Sequence, residues 1–173
     1  MTDADRFFEK FVYYLRPPSP EEDALRMEID ALTPARVKAG DSARLEQEGF
    51  RVGECHRNCI AAAAAGVGEQ VFGWTITRHV YLSHSVMRMP DGGLQCITPG
   101  HTDELGDEGC FQFCPDPAYC FDGRWMRRNG VFPAHSTAII RRNPDFVRRH
   151  YADLHERVGN GSLTYEEAIA LGL

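Results

Sequence analysis

Five consecutive alanines, at positions 61–65, constrain the fold of this chain more than any other stretch of its sequence. Alanine is the strongest helix former, and the run continues a segment that begins at Cys55 and ends before Gly66. Residues 55–65 are therefore predicted to form a helix. Side chains this small are typical of a helix that packs closely against a sheet, where larger side chains would not fit.

Strands are predicted directly after this helix. Residues 71–76 and 80–89 are rich in β-branched and aromatic side chains, with apolar residues alternating along the second segment. Pro90 to Gly93 has the composition of a turn, and residues 94–98 are predicted to return as a third strand. A helix followed by an antiparallel meander predicts the α+β fold class.

Helices are predicted on both sides of this core. Apolar side chains recur at helical spacing near each end, and Thr164 and Glu167 have the spacing of a capping box. A short helix is also predicted after Pro34. The predicted N- and C-terminal helices span residues 3–15, 20–31 and 144–158, with a last short helix after Thr164.

The rest of the chain is less regular, but its length fits one domain. Residues 100–124 are rich in Gly, Asp, Cys and Pro without a period, which predicts an irregular lobe. Residues 132–141 are predicted to add a strand. With 173 residues, the chain is long enough to bury one core, so residues 1–173 are predicted to form a single domain with its core at about 53–99.

Charge and hydropathy exclude two classes of partner. The net charge of −6 argues against a nucleic-acid-binding protein, and no stretch approaches the 18 apolar residues of a membrane span. The N-terminus lacks the basic start and apolar run of a signal peptide, so we expect a cytoplasmic protein with reduced thiols. Its six cysteines are then catalytic, metal-binding or buried rather than paired in disulfides.

Cys55 and His84 are the residues that could perform chemistry. Cys55 is predicted to begin a helix, where the partial positive charge and the free N–H groups favour a thiolate and could hold an oxyanion. A thiol nucleophile needs a base, and His84 lies mid-strand among apolar neighbours. The alternative is that Cys55 is a buried thiol and His84 a core histidine with satisfied hydrogen bonds.

The segment from Gly53 to Pro99 resembles the core of transglutaminase-like (papain-like) cysteine enzymes. In that family a cysteine begins a helix, and a Gly-containing strand, a strand with His, a turn and a strand with Asp follow. The segment is also similar to uncharacterised bacterial proteins with a Cys-His-x-Asn start, a Gly-Trp strand and an Asp-x-Thr-Pro strand. The matching pieces are Gly53-Glu54-Cys55, Phe72-Gly73-Trp74, Ser83-His84-Ser85-Val86, Asp91-Gly92 and Cys96-Ile97-Thr98-Pro99.

The resemblance implies a helix packed on an antiparallel sheet, with Cys55 as nucleophile and His84 as base. Cys96 stands where the family has Asp, so the group that orients the histidine is replaced by a thiol. Asn58 and Trp74 are candidates for the oxyanion or substrate site. Each has an alternative, because Asn58 could bond only locally and Trp74 could belong to the core. His56, on the first turn, is expected to be exposed.

Zinc is a competing interpretation at two places. Cys55 and Cys59 lie one helical turn apart, and with His84 and Cys96 they would supply three thiolates and one imidazole. In the predicted lobe, interleaved aromatic residues make simple burial of the thiols the alternative to a metal site. The four candidate ligands there are His101, Cys110, Cys114 and Cys120.

The leading functional prediction is a cysteine-dependent hydrolase or acyltransferase that acts on an amide or thioester of a small molecule or peptide. It requires no cofactor. The alternative, from a different class, is a non-catalytic binding or interaction module on the same core, stabilised by zinc or by packing alone.

Overall fold

The structure, a computed structural model, describes residues 1–100, 109–121, 126–128 and 139–172. Within these residues it contains helices and strands in a mixed order along the chain. The helices are α1 (Asp3–Leu15), α2 (Pro20–Asp30), α3 (Ser42–Gln47), α4 (Cys55–Ala64), α5 (Pro144–Gly159) and α6 (Tyr165–Ala170). The strands are β1 (Ala35–Ala39), β2 (Glu69–Ile76), β3 (Val80–Arg88), β4 (Leu94–Cys96), β5 (Cys110–Pro115), β6 (Tyr119–Phe121), β7 (Met126–Arg128) and β8 (Ile139–Arg141).

Five of the strands close into a small barrel. Their order is β2-β5-β1-β4-β3, and β3 pairs back to β2 through eight residue pairs, so the sheet closes on itself. β8 extends the sheet from β3, and β6 pairs with β7 separately. The mixed α and β prediction is confirmed. The sheet is not purely antiparallel, however, because β1 and β4 run parallel with Ala39 opposite Cys96.

One face of each barrel strand points inward. Val37, Val86, Cys96, Phe111 and Phe113 form a buried apolar cluster. Side chains alternate along a strand, so His84 shares the inward face of β3 with Val86. Its ring meets both phenylalanines edge-on, at centroid distances of 6.0 and 6.5 Å.

Helix α4 packs on the outside of the barrel, which confirms the central helix predicted from the alanine run. Cys59 and Ala62 contact Met87 of β3 in a cluster with Leu45 and Ile97. Only part of the run faces the sheet, because Ala61, Ala64 and Ala65 are exposed. Within the alanine run, the close approach of helix and sheet therefore depends on the buried Ala62 and the half-buried Ala63.

Two segments differ from the sequence-based prediction. Residues 35–39, predicted to be a short helix, form β1 between β4 and β5. The predicted irregular lobe contains β5, which is one of the barrel strands and lies between β2 and β1. Both strands are held by partners that are distant in sequence, and the local sequence of a short strand gives little signal of such pairing.

The terminal helices form a second cluster, in which α1 and α5 pack through Phe7, Tyr151 and Leu154. The capping box at Thr164 is present with both of its hydrogen bonds. A buried ion pair joins helix α2 to strand β8, with Arg141 Nη2 2.6 Å from Glu22 Oε2. In the part of the chain that is described, no helix is both long and apolar enough to cross a membrane.

Candidate functional site

Cys55 is the first residue of α4, and a short loop before it is fixed by Asn58. The Asn58 amide accepts from the Arg51 N–H at 3.1 Å and donates to the Arg51 carbonyl at 2.8 Å. Gly53 makes the turn with φ +75°, a left-handed conformation that favours glycine. The loop therefore delivers a half-buried Cys55 thiol to the surface of the barrel.

Burial raises the pKa of the Cys55 thiol, and backbone amides lower it by a smaller amount. The amides are those of Ser85, His56 and Cys55 itself, and the net direction is upward. This direction runs against the sequence-based expectation of a preformed thiolate, because desolvation outweighs the amides at the start of the helix. The Ser85 amide nonetheless places the Cys55 sulphur against β3, one residue after His84.

His84 is buried in the barrel, and its Nε2 lies 3.2 Å from Cys96 Sγ. Cys96 Sγ also lies 3.9 Å from the Thr98 carbonyl, to which the thiol can donate. In the tautomer that carries the proton on Nε2, Sγ accepts from the Nε2–H group, the thiol donates to the Thr98 carbonyl, and the lone pair of the imidazole lies on Nδ1. Cys96 thus contacts the histidine directly.

Cys96 differs from a carboxylate in its charge. Burial raises the pKa of the Cys96 thiol to about 11, so this thiol is neutral at neutral pH. A neutral thiol orients the imidazole by one weak hydrogen bond, and it adds no negative charge to stabilise an imidazolium.

Three thiols share one neighbourhood around α4 and β4. Burial raises the pKa of Cys59, and the charges of Cys55 and Cys96 raise it further. The charge of Cys55 likewise raises the pKa of Cys96. The structure therefore brings Cys55, Cys59 and Cys96 together, with His84 bonded to the last of them.

The network around His56 is absent from the sequence-based site. His56 was expected to be exposed, but its ring is half-buried, with Nδ1 2.7 Å from Ser85 Oγ and Nε2 3.4 Å from Ser83 Oγ. Gln70 Nε2 donates to both the His56 carbonyl and Ser85 Oγ at 3.3 Å. Alternation along β3 was the only signal, since Ser83 and Ser85 both lie on the face opposite His84.

Trp74 and Asn58 do not take the substrate-binding roles considered for them. Trp74 is 0% exposed, and its Nε1 donates to Asp116 Oδ2 at 3.0 Å while its ring packs on Tyr119. No substrate can stack on a ring that is enclosed by protein, so the core alternative is correct. Asn58 has both ends of its amide bonded to Arg51, so it shapes the loop before Cys55.

Metal binding receives no geometric support. Among the described residues, no group of three or more His, Cys, Asp or Glu side chains is arranged to hold an ion. Cys110 and Cys114 lie four residues apart on the extended strand β5, about 13 Å, whereas two thiolates on one zinc lie about 4 Å apart. Cys120 is exposed on β6, and His101 lies outside the described residues.

A cavity of about 540 Å³ lies beside the His56 network. Its lining includes Gln70, which bonds to the His56 carbonyl, and Phe72, whose ring stacks on the His56 ring at 5.7 Å. Pro117 and Tyr119 also line it. The cavity therefore ends next to the residue that follows Cys55.

Comparison of the chain with protein-family models, with curated proteins and with solved structures gave no match.

Proposed function

We propose that this protein is a cysteine-dependent hydrolase or acyltransferase, built on a transglutaminase-like (papain-like) core. Its substrate is an amide or thioester of a small molecule or peptide. The observation that carries the proposal is the placement of Cys55 at the start of α4, with its sulphur at the backbone amide of Ser85, the residue that follows His84 on β3. His84 is in turn held by Cys96 through its Nε2.

In the proposed reaction, Cys55 Sγ attacks the carbonyl carbon of the substrate while its proton passes to His84. Because Nε2 of His84 faces Cys96, the proton is received by Nδ1. The new S–C bond replaces the C–N bond of the amide or the C–S bond of the thioester, and His84 returns the proton to the leaving group. Water, or another acceptor, then cleaves the acyl-cysteine.

The raised pKa of Cys55 determines how the nucleophile is activated. Since the free thiol is protonated at neutral pH, the base must remove the proton as the bond to carbon forms, as in serine hydrolases. We expect slow reaction with simple alkylating agents and faster reaction with acyl donors that His84 can assist.

Turnover of an activated acyl ester, p-nitrophenyl acetate, tests the proposal. Cys55→Ala should reduce the rate to that of the uncatalysed reaction, while the fold remains intact by circular dichroism. Cys120→Ala is the matched control, because it removes an exposed thiol on β6. Equal turnover by the wild type and Cys55→Ala would end the proposal.

A non-catalytic binding module on the same core is the second candidate. It is favoured by the neutral thiol at position 96, which cannot stabilise a charged imidazole as a carboxylate would. Its ligand would occupy the cavity beside Gln70, and packing would stabilise the core, since the described thiols are not arranged to hold an ion. Metal analysis of protein purified without chelator tests the alternative, stabilisation by zinc; less than about a tenth of an equivalent would exclude a structural ion.

The proposal also includes a cytoplasmic location and no nucleic-acid partner. It is supported by the net charge of −6 and by the six cysteines, all of which are free thiols.

A further inference from the structure

His56 has no role in the proposed reaction, although it follows Cys55 in the chain and bonds to Ser85, whose amide contacts the Cys55 sulphur. It follows Cys55 on the first turn of α4, and its ring reaches across to the outer face of β3. Four hydrogen bonds in this network connect α4, β2 and β3, at distances from 2.7 to 3.4 Å. The side chain and the backbone of His56 thus both contribute to the attachment of α4 to the sheet.

Gln70 fixes the direction of two of these hydrogen bonds. An amide nitrogen only donates, so Gln70 Nε2 gives one hydrogen to the His56 carbonyl and the other to Ser85 Oγ. The two ring nitrogens of His56 have hydroxyl partners, Ser85 Oγ at 2.7 Å from Nδ1 and Ser83 Oγ at 3.4 Å from Nε2. A hydroxyl both donates and accepts, so the two serines can satisfy either neutral tautomer of the imidazole.

Ser85 connects this network to the nucleophile. Its hydroxyl bonds to His56, and its backbone amide contributes most among the amides that stabilise the charged form of Cys55. Ser85 is fully buried, so any movement of the first turn of α4 relative to β3 would change both contacts. The Phe72 ring stacks on the imidazole and holds its plane.

We infer that His56 is a positioning residue: as a neutral imidazole it fixes the first turn of α4 to β3, so that the Ser85 amide faces the Cys55 sulphur. The inference rests on the proposed function in so far as it concerns acyl transfer. Burial also lowers the pKa of His56 to about 4, so it stays neutral at neutral pH and is unsuited to act as the base. Its role is geometric, and the base remains His84.

Two substitutions separate the geometry from the bulk of the ring. His56→Asn keeps a hydrogen-bonding group near the position of Nδ1, whereas His56→Leu keeps the volume and removes that group. The control is His150→Leu, which removes an imidazole of α5 whose Nε2 contacts only the Leu171 carbonyl in the bonds described. Each variant is compared with the wild type in two measurements.

Native-state hydrogen exchange is the first measurement, and it does not depend on activity. His56→Leu should speed exchange of the Ser85 amide and of the amides at residues 55–58 by about tenfold or more. His56→Asn should stay within about threefold of the wild type. Unchanged exchange in His56→Leu would show that His56 does not fix the first turn of α4 to β3, whatever the protein catalyses.

The rate of Cys55 acylation by p-nitrophenyl acetate, followed by mass spectrometry, is the second measurement. His56→Leu should slow it by about tenfold or more, because misplacement of a reacting group is costly, and His56→Asn should restore most of the rate. Equal rates in the wild type and His56→Leu would overturn the positioning role. If wild-type Cys55 is not acylated at all, the proposed function fails, while hydrogen exchange still tests whether His56 fixes the first turn of α4 to β3.

Discussion

Gly73→Ala should destabilise the protein by about 3 kcal/mol or more, although it adds a single methyl group. A methyl group at this position would lie 2.6 Å from Phe113 Cζ and closer still to the Cys114 carbonyl oxygen. The phenylalanine could rotate, but the carbonyl belongs to the β5 backbone, which pairs with β2 at this point. The two strands must therefore separate, and ladder hydrogen bonds are lost.

The same change should disturb the candidate site. Gly73 lies opposite His84 in the β2–β3 register, and His84 packs edge-on against Phe113. A shift of Phe113 would remove one of the two phenylalanine rings that pack against the imidazole. We therefore expect the rate of acyl-ester turnover to fall in Gly73→Ala even at temperatures where the variant is folded.

Urea and thermal unfolding followed by circular dichroism measure the effect. A loss of about 3 kcal/mol corresponds to a decrease of about 6 to 12 °C in Tm for a chain of this size. Gly159→Ala is the control: it lies at the end of α5, where its methyl group would meet Ala4 Cβ at an ordinary 3.8 Å. That variant should be unchanged or about 0.5–1 kcal/mol more stable. A Gly73→Ala protein within about 0.5 kcal/mol of the wild type would refute the packing described for β2 and β5.

Three further predictions concern titration, the buried ion pair and the third position of the site. Because burial lowers the folded pKa of His56 to about 4, the unfolded chain takes up the proton first as the pH falls below about 6.5, so stability should decrease by about 3 kcal/mol between pH 7 and pH 4. In urea unfolding, the stability of His56→Asn should therefore change little between pH 7 and pH 4 from this residue, and its loss should be about 3 kcal/mol smaller than that of the wild type. Equal pH profiles of stability in the two proteins would contradict the lowered pKa of His56. Glu22→Gln should cost about 3–5 kcal/mol by leaving the buried Arg141 unpaired, and the double replacement Glu22→Leu with Arg141→Met should recover at least half of it; a single variant as stable as the wild type would argue against the pair. Cys96→Asp restores a carboxylate beside His84 Nε2 and should speed Cys55 acylation about tenfold or more; a folded variant with no gain would show that His84 is not the base.

Elements with a strong local pattern were predictable from the sequence. Helices α1, α4 and α5 begin at the predicted residues and end within about one residue of the prediction, since apolar spacing and caps define them. Strand β3 was predicted to within one residue, with His84 and Val86 on one face. Strands β1 and β5 were not predictable, because they pair with strands that are distant in the sequence. Closure of the barrel depends on both strands, so the sheet arrangement could not be read from local alternation.

The site divides in the same way. Contact between His84 and Cys96 follows from the strand order that the sequence indicates. The protonated state of Cys55 does not, because the helix N-terminus and desolvation act in opposite directions and only the depth of burial decides between them. The His56 network was missed because its partners Gln70 and Ser85 come from two strands that meet α4 only in three dimensions.

The assignment of Cys55 as nucleophile and His84 as base is tested most directly by finding where an acyl group attaches and what that step requires. Native protein is exposed briefly to p-nitrophenyl acetate, and the acetylated residue is identified by mass spectrometry in the wild type and in His84→Gln. The account predicts acetyl-Cys55 in the wild type and a rate lower by about 100-fold or more in folded His84→Gln. Acetylation of the exposed Cys120 in preference to Cys55, or equal Cys55 rates in the two proteins, would contradict it.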